Sequence, residues 1–176
     1  MIRLIGVLLL LAASLTACRP FGSKATADLP GQISVTMVVR PMAGWHGDWH
    51  RTPAMATPDG TTTQQLFEDT GWWRGSNLYV HASGVYVLHE GQAGCIVLPM
   101  QAPTGDAEPD ISCDKASPAP VTQTLEVQPG SPGFPLSRFY RDLFYIGHFA
   151  ETPDAEEAIT FIPVDQQSEP DLPDIL

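Results

Sequence analysis

The chain has 176 residues, 43% of them hydrophobic and 16% charged, and 20 acidic against 9 basic side chains give a formal net charge of -11. A polyanion repels phosphate backbones, which speaks against nucleic acid as a partner; it is also poorly suited to hold itself on anionic headgroups by charge, so membrane attachment has to be covalent or apolar. The length suits one modest domain with a leader and tails, and 15 glycines with 17 prolines at low charge indicate a loop-rich β protein and not a helical bundle.

Residues 1–17 read MIRLIGVLLLLAASLTA: one cation, Arg3, then an apolar run from Leu4 to Leu11 that fades into small residues. This is the layout of a secretory signal peptide. The run is too short to span a bilayer, which takes about 20 apolar residues, unless Ala12–Ala17 are counted in. The leader ends on Leu15-Thr16-Ala17-Cys18, in the order aliphatic, small, small, cysteine. The motif resembles the lipobox of bacterial lipoproteins at every position. That resemblance covers the leader alone, and the mature domain resembles no family. It implies a diacylglyceryl thioether on Cys18, cleavage before it by lipoprotein signal peptidase, and a palmitate-type acyl chain on the new amine. Each buried methylene contributes about 0.8 kcal/mol and one chain binds only marginally, whereas two or three make a durable anchor. Arg19 stands where an inner-membrane retention signal of the family would place Asp. By that analogy the protein faces the periplasm from the outer membrane.

Residues 18–30 then read as a flexible linker, CRPFGSKATADLP, polar and flanked by prolines. Gln32–Arg40 alternates, with Ile33, Val35, Met37 and Val39 on one side, and marks a half-buried strand ended by Pro41. A Trp/His loop runs from there to a turn at Pro58-Asp59-Gly60. In 61–71, TTTQQLFEDTG, threonine followed by glutamine three residues on suits a capping box, and Gly71 suits a helix end. The threonines suit a strand equally, and both remain open.

The segment NLYVHASGVYVLHEG is a hairpin around Ala82-Ser83-Gly84, with Gly84 at the left-handed position and His81 opposite Val85. Leu78, Val80, Tyr86 and Leu88 then share the core face. Tyr79, His81, Val85, Val87 and His89 share the other, which is half apolar, so both faces are expected to be partly covered. Further strands are expected over 121–127, 143–149 and 158–164, the last two as a hairpin, with a turn of helix over 137–140. The final residues, 165–176, are acidic and proline-rich and read as disordered. The expectation is one all-β domain over 31–164, a small sandwich or open barrel of about seven antiparallel strands with at most one short helix.

Export places Cys95 and Cys113 in an oxidising compartment, where a remaining pair is most simply a disulfide. Their spacing fits neither a redox motif nor a zinc knuckle.

The most unusual cluster is Trp45-His46-Gly47-Asp48-Trp49-His50. In extended backbone His46, Asp48 and His50 would point to one side, and two imidazoles with a carboxylate form a ligand set for zinc or iron. Against this, Gly44, Gly47 and Pro53 favour an irregular loop whose tryptophans pack on the core or line a ligand surface. Trp72 and Trp73, before the hairpin, would send one ring inward and one outward; with Trp45 and Trp49 they are the candidate ligand-binding residues. His81 and His89 stand four strand positions apart, roughly 13 Å, too far to share a metal. His148 has no partner assignable from sequence. Arg138-Phe139-Tyr140-Arg141 is basic and aromatic, yet two arginines in an acidic chain are little evidence for anion binding.

No phosphate-cradling loop, nucleophile elbow or metalloprotease helix is recognisable, and no catalytic residue or cofactor is indicated. The expectation is a lipid-anchored, non-catalytic envelope module that binds a periplasmic protein or assists envelope assembly. The alternatives are a ligand-binding or inhibitor module that takes a small apolar ligand on its tryptophans, and a metal-dependent hydrolase built on His46, Asp48 and His50.

Overall fold

A computed structural model of the chain describes residues 22–41, 49–64, 66, 73, 75–91, 94–98, 111, 113, 115, 123–152 and 158–172. Over these the protein is all-β, with eleven strands, antiparallel throughout, and no helix among the described residues. The strand count exceeds the seven expected because several strands are too short or too poor in large apolar residues to stand out.

Sheet A is a meander of β1 (Ser23–Leu29), β2 (Ile33–Pro41), β3 (Trp49–Thr57) and β4 (Gly60–Thr63). The alternation of β2 holds: Val35, Met37 and Val39 are fully buried, and the strand ends at Pro41. The residues read as a flexible linker are the first correction. From Ser23 onward they form β1, paired along its whole length with β2 from Ser23↔Val39 to Leu29↔Ile33. Ala25, Ala27 and Leu29 face inward while Lys24, Thr26 and Asp28 face out, so the period of two is present in residues that carry little apolar surface.

β3 occupies part of the expected Trp/His loop. It is a central strand that contains Pro53, a residue usually confined to edges and bulges because it has no N–H to donate. The Pro53 carbonyl accepts from Gln64 N at 3.1 Å, just past the end of β4. Carbonyl and N–H of one strand residue point to the same side, so the missing donor falls where β4 has already ended. Residues 61–63, left open between helix and strand, are β4, joined to β3 through the expected turn at Pro58 and Asp59.

Sheet B has the order β11-β10-β5-β6-β7, from β5 (Ser76–His81), β6 (Tyr86–His89), β7 (Cys95–Val97), β10 (Leu143–Glu151) and β11 (Ile159–Pro163). The β5–β6 hairpin has the expected register, Val80↔Tyr86 and Leu78↔Leu88, with His81 N bonded to Val85 O at 2.7 Å and Gly84 at φ 89°. A left-handed residue at this place is the reason for a glycine. β10 and β11 form the expected late hairpin. A small ribbon of β8 (Thr124–Glu126) and β9 (Gly133–Pro135) replaces the longer strand expected over 121–127. The turn of helix expected over 137–140 is absent: the chain bends there and bridges Tyr140 to Lys115.

Residues of both sheets fill one core, among them Val35, Met37, Met55, Trp73, Leu78, Val80, Tyr86, Leu88 and Phe149. Each such side chain contributes roughly 1.5–3 kcal/mol by leaving water. The edges β1 and β11 adjoin, and Ile159 N donates to Ser23 Oγ at 2.8 Å, but they do not pair as strands and the barrel is not closed. The structure is a two-sheet, open arrangement.

Cys95 on β7 is joined to Cys113, with 6.0 Å between their Cα atoms. The bridge lies against the outer face of sheet B, beside Tyr79, Val87 and Tyr145. It closes a loop of 18 residues, which in the chain-entropy model removes about 3 kcal/mol from the unfolded state. Replacing both cysteines by alanine is expected to lower the unfolding free energy by about that amount, read as a fall in the urea midpoint with a steeper slope, since the unfolded chain without the crosslink exposes more surface.

Candidate functional site

The outer face of sheet B is where polar side chains converge. In β5, Asn77 and Tyr79 share that face; in register with them stand His89 and Val87 of β6, and His148 and Tyr145 of β10. A bulge between Tyr145 and Gly147 shifts the register of β10 by one residue, which brings both Tyr145 and His148 to the same side as their partners. Without it His148 would enter the core.

Residues 165–172 were expected to be disordered, and this is the second correction. After β11 the chain turns back, with Gln166 N and Gln167 N on the Pro163 carbonyl, and lies across this face. Glu169 and Leu172 are both buried at 4% exposure. The Glu169 carboxylate accepts from Tyr79 OH at 2.8 Å, Ser137 Oγ at 2.6 Å and Arg138 N at 2.7 Å. The Arg138 guanidinium bonds to the Glu169 carbonyl, Asn77 Nδ2 donates to the Pro170 carbonyl at 3.0 Å, and Lys115 Nζ reaches the Leu172 carbonyl at 3.3 Å. Lys115 also pairs with Asp171 at 2.9 Å, an exposed contact worth little on its own. The run at 138–141 therefore holds the chain's own tail, through the Arg138 backbone N–H on the Glu169 carboxylate and the Arg138 guanidinium on the Glu169 carbonyl. Residues 173–176 lie outside the described residues.

The network has a direction. Asn77 Nδ2 is committed to two acceptors, the Pro170 carbonyl and Tyr79 OH at 3.0 Å, so its Oδ1 is the acceptor and His148 Nδ1, at 2.7 Å, is the donor. Hydrogen bonds then run from His148 to Asn77, from Asn77 to Tyr79, and from Tyr79 to the Glu169 carboxylate. Burial, and after it the Glu169 charge, raises the Tyr79 phenol well above its ordinary range, so it stays protonated and able to donate. Burial likewise raises Tyr145, with the Glu169 charge adding to the shift and Arg138 opposing it.

His148 itself is 5% exposed. Burial pushes its imidazole down to about 4, with a backbone hydrogen bond at Ser76 pulling the other way, so the ring is neutral at physiological pH. It packs against Gly75, whose φ is 98° and where an added Cβ would come within 2.2 Å of the ring. Glycine is required there for both reasons.

A parallel contact closes the neighbouring strand. His89 Nδ1 accepts from Gly91 N at 3.1 Å, so Nε2 carries the proton and donates to Tyr140 OH at 2.9 Å. His81 sits apart at the hairpin tip, against Ser83 Oγ at 2.8 Å. His81 and His89 thus stand four strand positions apart in the β5–β6 register.

The second polar cluster lies inside the core. Arg51 of β3, 0% exposed, pairs with Glu90 at the end of β6, 4% exposed, and so ties sheet A to sheet B. Ser76 Oγ donates to Glu90 at 2.6 Å and accepts from Trp73 Nε1 at 3.1 Å.

Several sequence candidates are placed by this geometry. Trp73 is 1% exposed and belongs to the core, which removes it from any ligand surface. Cys18, Trp45, His46, Asp48 and Trp72 lie outside the described residues. Trp49 and His50 begin β3, opposite Pro41 and Arg40, so the strand takes up the last two residues of the Trp45–His50 cluster. Among the described residues no group of three or more His, Cys, Asp or Glu is placed to hold a metal ion.

Chemically, the outer cluster is a clasp. Glu169, Tyr79, Asn77 and His148 spend their hydrogen bonds on one another and on Ser137, Arg138 and Pro170, while the buried Tyr145 OH on the same face has no hydrogen-bond partner among the described residues. Replacing Glu169 with alanine leaves a buried hydroxyl pair and the Arg138 amide without their acceptor. The expected cost is about 2 kcal/mol in stability, with faster amide exchange at Arg138. If the tail were loosely attached, neither would change. Asn77, Tyr79 and Glu169 were not foreseen as a site. The only signals were an asparagine and a histidine inside otherwise apolar strands. The chain matches no family model, no curated protein and no solved structure.

Proposed function

We propose that the protein is a bacterial lipoprotein, held to the cell envelope by acyl chains on Cys18, whose β domain works as a non-catalytic binding or assembly module in the periplasm, at the outer membrane. The observation that carries the reading is the Leu15-Thr16-Ala17-Cys18 motif at the end of an apolar leader. Two features are consistent with it. The disulfide suits an exported domain. The buried clasp and the buried ion pair suit a rigid module whose polar side chains serve architecture.

The test is fractionation of the host's envelope. Wild type is expected in the detergent phase with the outer-membrane fraction. Cys18→Ser is expected to lose the acyl chains and to retain its leader, since the lipoprotein peptidase acts on the lipidated residue. Equal behaviour of the two proteins would remove the proposal.

A further inference from the structure

We infer that the outer face of sheet B is a peptide-binding site for an extended acidic segment of the pattern Glu-Pro-x-Leu, which residues 169–172 fill in cis and which a partner's segment of the same chemistry displaces. This rests on the binding-module reading above and gives that module a ligand class.

The tail is held as a ligand is held, and not as a strand. Past the turn in which Gln166 N and Gln167 N bond to the Pro163 carbonyl, no main-chain ladder joins it to a strand among the described residues. Side chains of the domain hold it instead. Arg138, Asn77 and Lys115 donate to the carbonyls of Glu169, Pro170 and Leu172 in turn, which fixes the path of the backbone. Two side chains of the tail supply selectivity. The Glu169 carboxylate enters a socket of three donors, Tyr79 OH, Ser137 Oγ and Arg138 N, and Leu172 is buried three residues on. Ser168 and Asp171 beside these anchors stay exposed. Spaced, buried anchors on an extended backbone, with their neighbours left in water, are how a groove reads a peptide. Pro170 suits the same purpose: it has no N–H to leave unpaired, and it biases Glu169 to extended backbone before the segment binds.

The tail does not use the whole face. Tyr145 stands in register with Tyr79, with 5.9 Å between the ring centroids, and is 1% exposed. Its OH has no hydrogen-bond partner among the described residues. Leaving a buried hydroxyl unpaired costs roughly tenfold in the equilibrium that buries it. A segment that brings a carboxylate or carbonyl oxygen to Tyr145 therefore binds more tightly than the tail. This separates a foreign partner from a second copy of the chain. A second copy's tail has no such advantage over the resident one, whose short connection to β11 gives it an effective concentration on the order of millimolar.

The probe is a blocked, dye-labelled peptide with the sequence of residues 165–172, Asp-Gln-Gln-Ser-Glu-Pro-Asp-Leu, titrated against the full chain by fluorescence anisotropy. Glu169→Ala in the chain weakens the resident tail and leaves the socket intact. That variant is expected to bind the peptide saturably and roughly tenfold more tightly than wild type, whose site is filled in cis. The peptide carrying Glu169→Ala is expected not to bind. Peptides with aspartate placed in turn at each of the other positions should include one that binds several-fold more tightly, a gain that Tyr145→Phe in the chain removes. If Glu169→Ala does not fold, the wild-type chain is cut after folding through a protease site inserted at the exposed Asp165-Gln166 turn, and the peptide is exchanged into the nicked protein. Equal binding to wild type and variant, or none to the folded variant and the nicked chain, overturns the site and leaves the lipid anchor to its own test. No tighter aspartate peptide, or tails that exchange between wild-type copies at micromolar concentration, overturns the foreign partner.

Discussion

Arg51→Met is expected to lower the unfolding free energy by about 3–5 kcal/mol, the cost of leaving a buried charge without its partner. Arg51 and Glu90 are both shut from water between the sheets, and the Glu90 carboxylate loses the guanidinium that faces it while keeping the Ser76 hydroxyl. Methionine fills much of the space of the arginine stem, so the loss reflects charge more than cavity. Glu90→Gln should cost a similar amount, since it leaves the arginine charged in the core. The double variant Arg51→Met/Glu90→Gln should recover a large part of the loss, because two neutral groups are cheaper to bury than one ion. The measurement is a double-mutant cycle in urea, and additive losses would show that the two side chains do not act as a pair.

Acid sensitivity is the second large effect, and it centres on His148. Above about pH 6.5 the imidazole is neutral both in the folded and in the unfolded chain, and it makes no difference to stability. Between pH 6.5 and about 4 the unfolded chain takes up a proton that the folded site refuses. Over that window the folded state loses about 1.36 kcal/mol per pH unit, roughly 3 kcal/mol in all, and below it the slope vanishes. His148→Gln retains a donor for Asn77 Oδ1 and removes the titration. Wild type minus variant should therefore show a stability difference that changes by roughly 3 kcal/mol between pH 6.5 and 4, with carboxylate contributions cancelling. A difference that is flat across this range would mean that His148 is hydrated or paired in a way the burial excludes. The chain of hydrogen bonds from His148 through Asn77 and Tyr79 gives the same experiment a local readout. Protection factors of the amides near Glu169, which discount the intrinsic pH dependence of exchange, should fall as the pH falls in wild type and less so in the variant.

The parts of the fold that were legible in the sequence are those in which large apolar residues mark the alternation. β2, with valines and methionine every second position, could be read to within a residue at each end, and the β5–β6 hairpin, with a glycine at its left-handed position, in its register, including His81 opposite Val85. β1 has the same alternation in Ala25 and Ala27, whose small side chains do not distinguish a strand from a polar linker. β3 was hidden by Pro53, tolerated only because its neighbour strand stops at that point. The clasp depended on information that no window of sequence contains. Glu169 looks like its neighbour Asp171, and what separates them is a socket built from Tyr79 and from Ser137 and Arg138, more than 30 residues away. The bulge in β10 that turns His148 outward has no composition signal either; it is a consequence of pairing with β5.

Among the described residues the disulfide on the outer face and the contacts of Glu169 hold the chain onto sheet B, and if Cys18 bears the proposed lipid, four residues separate it from β1. Such rigidity suits a protein that presents a fixed surface a short distance above a membrane. The anchor itself is the claim on which location and role depend. Intact mass of the protein taken from its host's membranes addresses it most directly. The account predicts a chain that starts at Cys18 and carries the added mass of a diacylglyceryl group, with or without a further acyl chain. A chain that keeps its leader, or one cut elsewhere with no lipid mass on Cys18, would contradict it.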